Sequence, residues 1–320
     1  MSAARGFLVT GAMGCIGAWT LYHLVKRGER AVSFDLSENR ARLDLLLTRD
    51  EQAAITFIKG DLTAFDQVAD VISKHRITHI VHLAALQVPF CRANPVMGAQ
   101  VNVVGTVNVF EAAKQNGIAH LAHASSIAVY GAPDEYDAGL LAADAPRNPH
   151  TLYGVYKQAG EGIAHVYWFE NKISSTALRP YTVYGIGRDQ GLTSEPTKAM
   201  LAAAAGQPYR ISFGGTMQFQ SASDVANQFI DAAQFPLDGA YTFNLGGAPT
   251  TVTHAASLIL RAAPDAEIEV ADKALPFPTG FDDTELRRHF ATVYETPLDD
   301  GIRQTVEHFR MVLADGRLTV

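Results

Sequence analysis

Thr10-Gly11-Ala12-Met13-Gly14-Cys15-Ile16-Gly17 decides how this chain is read. Before it stands Phe7-Leu8-Val9, an apolar run short enough for a buried strand. After it, Ile16, Trp19, Leu21, Leu24 and Val25 keep a helical beat. A strand, a glycine turn and a helix form the first unit of a dinucleotide-binding fold. Gly11 permits the tight turn, Gly14 lets the backbone approach a pyrophosphate, and Gly17 allows close packing of helix on strand. The helix N-terminus then presents N–H groups and a partial positive charge to the anion. Gly11, Met13, Gly14, Cys15, Ile16 and Gly17 are therefore candidate cofactor contacts. Asp35 closes the second apolar run, Ala31-Val32-Ser33-Phe34, where a ribose-binding acid belongs.

The 320 residues can bury a large core, as one big domain or as a large domain with a smaller one. Charged residues make up 18% and the net charge is −7, which argues against a broad nucleic-acid-binding face. Two cysteines, Cys15 and Cys91, indicate no disulfide scaffold and fit a reducing cytoplasm. No uninterrupted apolar run approaches the roughly 18–20 residues of a membrane span, and the expectation is a protein with no membrane partner.

Strand and helix signals alternate downstream. Ile55–Ile58 reads as a third strand closed by Gly60-Asp61-Leu62. Asp61 suits either an adenine contact or a cap for the helix from Ala64. Ile77–Leu83 reads as a fourth strand, and the small Ala84 and Ala85 leave room for a ligand at its carboxyl end. Val101–Ala113 reads as a long buried helix in which the polar Asn102 and Asn108 must find partners. Ile118–Ala124 is a fifth strand, followed by Ser125 and Ser126. Tyr130–Pro149 has the composition of a loop bordering a site, a helix runs from about Thr151 to Asn171, and Ser174–Leu178 is a sixth strand ended by Arg179-Pro180. This alternation implies a doubly wound parallel sheet covered on both faces, an α/β fold of the Rossmann type. After Pro180 the rhythm breaks. The division expected is a Rossmann domain at 1–180 and 222–248, with a smaller, interleaved substrate domain at 181–221 and 249–320.

Tyr153 and Lys157 are four apart on one helix face. An ammonium favours the phenolate of a nearby tyrosine, so the pair can move a proton at neutral pH. Ser126, at the end of a neighbouring strand, can bond the same substrate oxygen. Metal chemistry is not expected, because the histidines are scattered and His120 with His123 brackets strand rather than loop.

With these residues in place, the chain resembles the extended short-chain dehydrogenases/reductases, the group that includes sugar epimerases and dehydratases. The resemblance spans nearly the whole chain. It rests on Thr10-Gly11-x-x-Gly14-x-x-Gly17, Asp35, Gly60-Asp61-Leu62, His82-Leu83-Ala84-Ala85, Asn102 and Ser125-Ser126-x-x-Val129-Tyr130-Gly131. It continues in Tyr153-x-x-x-Lys157, Leu178-Arg179-Pro180 and Val183-Tyr184-Gly185. It implies NAD(P) over the carboxyl edge of the sheet, with Asp35 favouring NAD, Tyr153 moving the proton, Lys157 holding the nicotinamide ribose and Ser126 polarising the reacting oxygen. Asp35 would take the adenosine ribose hydroxyls and Asp61 and Leu62 the adenine. Ala84, Ala85 and Asn102 would line the cofactor cleft. Pairing of two helices from each copy into a homodimer is also implied.

Departures from the family pattern narrow the reaction. The dehydratases place an Asp-Glu pair directly after the catalytic Ser or Thr, where this chain has Ile127 and Ala128. Members that bind nucleotide sugars resemble Arg-Asp-Phe-x-His-Val-x-Asp-Val in a segment that here begins at Met217 and ends at Asp224-Val225. In the tail, Val270–Pro276 offers only Lys273 in place of a second arginine, and Thr182 stands where UDP-sugar epimerases often carry Asn. The expectation is NAD-dependent oxidation of a secondary alcohol on a sugar, sugar acid or similar small polyol; the alternative is an NAD-dependent sugar epimerase. Ser125, Ser126, Thr182 and Arg188 are the substrate-binding candidates, with Arg188 suited to a carboxylate or several hydroxyls.

Overall fold

The computed structural model describes residues 5–319. The chain divides into two compact units. The first runs to Tyr130 and takes in Pro146–Arg179 and Ala226–Phe243; the second is Gly131–Ala145, Pro180–Val225 and the chain from Asn244. The 131–145 segment, which the sequence reading keeps in the Rossmann domain, thus belongs to the second unit.

The first unit is built on a seven-stranded sheet. Its strands β1 (Gly6–Thr10), β2 (Arg30–Asp35), β3 (Ile55–Lys59), β4 (His79–His82), β5 (His120–Ala124) and β6 (Ser174–Arg179) lie in the order 3-2-1-4-5-6, and strand Ala240–Asn244 follows β6. The ladders from β3 to β6 are all parallel. All five residues of β1 are buried, as a strand covered on both faces requires. The order reverses between β1 and β4, and ligands of such sheets bind outside the carboxyl ends at that switch point. Helices α1 (Cys15–Lys26), α2 (Phe65–Lys74), α3 (Gly105–Gln115) and α4 (Leu152–Asn171) cover the sheet, with α3 packed between α2 and α4. The core joins Leu8, Val32, Ile80 and Leu121 of the strands to Val68 and Ile72 of α2 and to Val109 and Phe110 of α3.

The helix expected over Val101–Ala113 opens with a wider turn. Gln100–Val104 is π-helical before α3 begins. The extra residue turns Asn102 inward, where its amide donates to the carbonyl of Leu86 (2.9 Å) and its oxygen accepts from the Leu86 amide (2.7 Å). Asn108 donates to the carbonyl of Leu62 (2.7 Å). Both polar residues of the apolar helix are thereby satisfied, and each pins a loop at the carboxyl edge of the sheet.

The second unit has a three-stranded sheet in which Thr216–Ser221 pairs with Thr182–Tyr184 in parallel and Pro249–Thr251 antiparallel. A separate parallel pair joins Tyr209–Ile211 to Ile268–Val270. The side chains of Gln218 and Gln220 are buried and bond backbone groups of Gly247, Phe281, Leu245, Gly246 and Tyr181. No helix among the described residues is long and apolar enough to cross a membrane.

Candidate active site

The glycine turn leaves β1 in close quarters. Gly11 has φ +67°, and a Cβ there would lie 2.6 Å from the amide nitrogen of Ala84, so both the turn and the approach of the β4 end require glycine. A Cβ on Gly17 would lie 2.2 Å from the Gly11 carbonyl oxygen. The close contact at Gly17 is therefore with the turn itself rather than with the strand. Gly14 is the N-cap of α1 and brings no side chain; its own amide bonds the Gly11 carbonyl (3.0 Å), and its carbonyl accepts from the Ala18 amide (2.9 Å). A helix start with this geometry can receive a pyrophosphate on its backbone donors. Thr10 steadies the other side of the switch point, where its hydroxyl accepts from the amides of Leu83 (3.2 Å) and Ala84 (3.3 Å).

Asp35 ends β2 beside this turn. Its two oxygens accept from the amides of Met13 (2.9 Å) and Ser37 (2.8 Å), which fixes the carboxylate and leaves lone pairs for further donors. Arg42 donates to the Met13 carbonyl (2.8 Å), and the Arg40 guanidinium lies 3.5 Å from the centre of the Phe57 ring. Asp61 accepts from the amide and hydroxyl of Thr63, both at 2.8 Å. That is a local turn; the helix cap itself is Ala64. Leu62 is buried, and the buried Asn102 amide is engaged by the Leu86 carbonyl and by Cys91 Sγ (3.5 Å), so Asn102 braces the loop that follows β4 and its amide donors are taken.

Thr151 caps α4, accepting from the Gly154 amide (3.0 Å), and the helix then presents Tyr153 and Lys157 on one stripe. The Lys157 ammonium lies 5.7 Å from the centre of the Tyr153 ring and donates to the carbonyl of Ala124 (2.6 Å), the last residue of β5. Burial pushes Lys157 down to about 8. His82, buried between Thr10 and Thr106, is held well below its ordinary value by burial and then by the Lys157 charge, so it is neutral. Ser126 caps a single 3-10 turn, Ile127–Val129, and its hydroxyl accepts from the Ala128 amide (3.2 Å). Gly154 lets this turn rest on α4, because a Cβ there would come within 2.0 Å of the Ala128 carbonyl oxygen.

Beneath these residues lies a buried ion pair absent from the sequence reading. Arg179, with no exposed surface, donates from Nε to Glu161 Oε1 and from Nη2 to Glu161 Oε2, both at 2.7 Å. Arg147 adds a bond to Oε2 (2.8 Å), and the Ser125 hydroxyl donates to Oε1 (2.5 Å). Burial pushes the Glu161 carboxyl up, but the bonds and charge of Arg179, with Ser125 and Arg147, outweigh it and hold the group ionised below its ordinary range. The available signal was spacing: Glu161 follows Lys157 by one helical turn, on the side that must face the strands. Ser125 is thereby withdrawn from the substrate-binding set, since it is buried and its hydroxyl is committed to Glu161.

In the second unit, Thr182 is fully buried and its hydroxyl donates to the sulfur of Met217 (3.1 Å). It is a packing residue, not a ligand contact. Arg188 is half-buried. Its Nη2 donates to Thr193 (3.3 Å), its Nε is buried without a partner, and no carboxylate among the described residues lies within ion-pair distance.

The model of the NAD dependent epimerase/dehydratase family matches residues 7–246. The chain belongs to that family. Membership makes it an NAD-dependent enzyme. A UDP-glucose 4-epimerase of Mycolicibacterium smegmatis is 32% identical over 318 residues, 95% of this chain and 98% of that protein. Among solved structures, the UDP-glucose 4-epimerase of Thermus thermophilus in complex with NAD has a TM-score of 0.81 at 26% identity, covering 96% of this chain and 99% of that one. An L-threonine dehydrogenase from Cupriavidus necator shares the fold with a TM-score of 0.81 at 23% identity, over 96% of this chain and 99% of that one.

Proposed function

We propose that the protein is an NAD-dependent oxidoreductase that oxidises a secondary alcohol on a sugar, sugar acid or similar small polyol. One observation carries the reading: the buried Lys157 ammonium sits beside the Tyr153 ring and is anchored on the strand end that leads into Ser126. In this reading Ser126 polarises the alcohol oxygen and Tyr153 takes its proton. Lys157 favours the phenolate through its charge and holds the nicotinamide ribose. NAD supplies the acceptor for the hydride. The glycine cradle that a Cβ would fill, the uncapped start of α1 and the fixed Asp35 carboxylate fit a dinucleotide. Asp35 would take the adenosine ribose hydroxyls, Asp61 and Leu62 would contact the adenine, and Ala84 and Ala85 would leave room for the cofactor.

A second reading, an epimerase of a UDP-sugar, is favoured by the full-length likeness to the Mycolicibacterium smegmatis enzyme. The same Ser126, Tyr153 and Lys157 serve it. Against it stand Met217 and Thr182, which pack on one another where that reading calls for a phosphate-binding arginine and an asparagine. We place the enzyme in the cytoplasm, as a homodimer; Cys15 and Cys91 form no disulfide.

The test is to incubate the purified protein with NAD and a panel of sugars, sugar acids and nucleotide sugars. Net NADH absorbance with a free sugar or sugar acid supports the oxidoreductase, and Tyr153→Phe should lower that rate by about 10²–10⁴-fold while NAD still binds. Interconversion of a UDP-sugar with no net NADH refutes the first reading in favour of the second.

A further inference from the structure

The turn that carries Ser126 is gripped at both ends by one ion pair. On the near side, the Ser125 hydroxyl donates to Glu161 (2.5 Å). On the far side, Arg179 Nη1 donates to the hydroxyl of Tyr130 (2.6 Å), the residue that closes the 3-10 turn. Glu161 and Arg179 are joined by two bonds at 2.7 Å and are almost wholly shielded from solvent. Lys157, one turn before Glu161 on α4, binds the carbonyl of Ala124. Successive residues of one strand end, Ala124 and Ser125, are thus held by successive turns of one helix.

A turn this short has little rigidity of its own. Its internal bonds are Ala128 N to the Ser126 hydroxyl, Val129 N to Ser126 O (3.2 Å) and Tyr130 N to Ile127 O (3.0 Å). A buried, bidentate Arg–carboxylate pair is by contrast a fixed fork, because displacing either partner leaves an uncompensated charge. We propose that the Glu161–Arg179 pair is the positioning device of the active site, clamping the Ser126 turn through Ser125 and Tyr130 so that the serine hydroxyl is held in register with Tyr153 and Lys157. Glu161 and Arg179 are positioning residues here, and touch neither substrate nor cofactor. The effect on turnover rests on the oxidoreductase reading; the mechanical clamp does not.

Removing Glu161 or Arg179 outright would leave a buried charge without its main partner and destabilise the whole unit, which would mask a local effect. Ser125→Ala and Tyr130→Phe instead delete one grip each and leave the ion pair with its Arg147 partner in place. Hydrogen–deuterium exchange of the NAD-saturated protein should show the amides of Ala128, Val129 and Tyr130 exchanging roughly tenfold faster in each single variant, and faster again in the double. Amides in the core of β5 and α4 should keep wild-type protection. On whichever alcohol yields NADH, kcat should fall roughly tenfold per variant, with KM and the Kd for NAD within about twofold. Unchanged exchange in the turn, or exchange raised uniformly across the unit, overturns the clamp. A double variant with loosened turn amides and wild-type kcat on a wild-type substrate overturns the positioning role in turnover. A wild-type protein that turns over no alcohol, yet shows the local exchange pattern in its variants, sinks the functional reading and leaves the clamp standing.

Discussion

Lys157 carries its charge where charge is costly, and that cost can be measured. Its ordinary value is 10.5, and burial brings it to about 8 in the folded protein. Below about pH 8 both folded and unfolded chains hold the proton, and the folded state bears the full desolvation penalty. Between about 8 and 10.5 the folded chain releases the proton before the unfolded one does, so stability rises with pH. Lys157→Met abolishes the effect. Urea unfolding without NAD should find that wild type gains about 3 kcal/mol on this variant between about pH 7 and pH 10.5; parallel pH curves would refute it. Asp35 gives a second test at this scale. Its carboxylate would repel a 2′-phosphate, and the arginines that could offset this, Arg40 and Arg42, are occupied by Phe57 and the Met13 carbonyl. NADP should therefore be used at least about tenfold less well than NAD, and Asp35→Ala should weaken NAD far more than NADP. Calorimetric titration of both cofactors into both proteins checks it.

At the scale of elements, the Ser126 turn and α4 approach so closely that Gly154 is the hinge of the arrangement. Gly154→Ala would drive a methyl toward the Ala128 carbonyl at 2.0 Å and Pro149 Cβ at 2.8 Å. Neither neighbour is the end of a flexible side chain. The substitution should cost roughly 1–3 kcal/mol of stability and, by displacing the serine, lower kcat more than tenfold; a variant with wild-type melting and turnover would contradict the packing. Sequence pattern reached this far only in part. The strands of the first unit read cleanly because they are apolar runs between turn signals, and α4 because Thr151 caps it. The π-helical start of α3 is not legible, since Val101 to Val104 scans as ordinary helix and the Leu86 backbone that Asn102 bonds lies 16 residues away in the chain. Glu161 is not legible as a site residue because a lone glutamate in a helix reads as solvated surface until the strand beside it supplies Arg179. In the second unit, Thr216–Ser221 hides its strand by burying Gln218 and Gln220, whose amides replace apolar contacts with backbone bonds. Strands of three residues, such as Thr182–Tyr184, leave no period to read.

At the scale of the whole molecule, α4 has more apolar surface than one chain covers. Lys157, Glu161 and Ala164 face inward. On the outer side Leu152 (43% exposed), Val155 (43%), Val166 (49%) and Phe169 (75%) remain open to solvent, with Ala159 half-buried among them and Ile163 at the edge, packed in part against the core of its own unit. Each follows the last by three or four residues, so they share one side of the helix, as on a helix that packs along a partner. Tyr167, on the same helix, turns inward, stacking on Phe110 at 5.1 Å and donating to Glu111 (3.0 Å). Val104, 46% exposed in the π turn before α3, adds apolar surface beside the stripe. A continuous apolar band of this kind on a monomer marks an association surface, and a second copy presenting the same band makes a closed, two-fold contact. The expected species is a homodimer, and light scattering should give twice the chain mass down to low micromolar concentration. Val166→Glu with Phe169→Glu places two charges on the outer face without touching the Lys157 stripe, so it should yield a folded monomer that still binds NAD. A monomeric wild type, or a double variant that stays dimeric, would show that this band has another occupant.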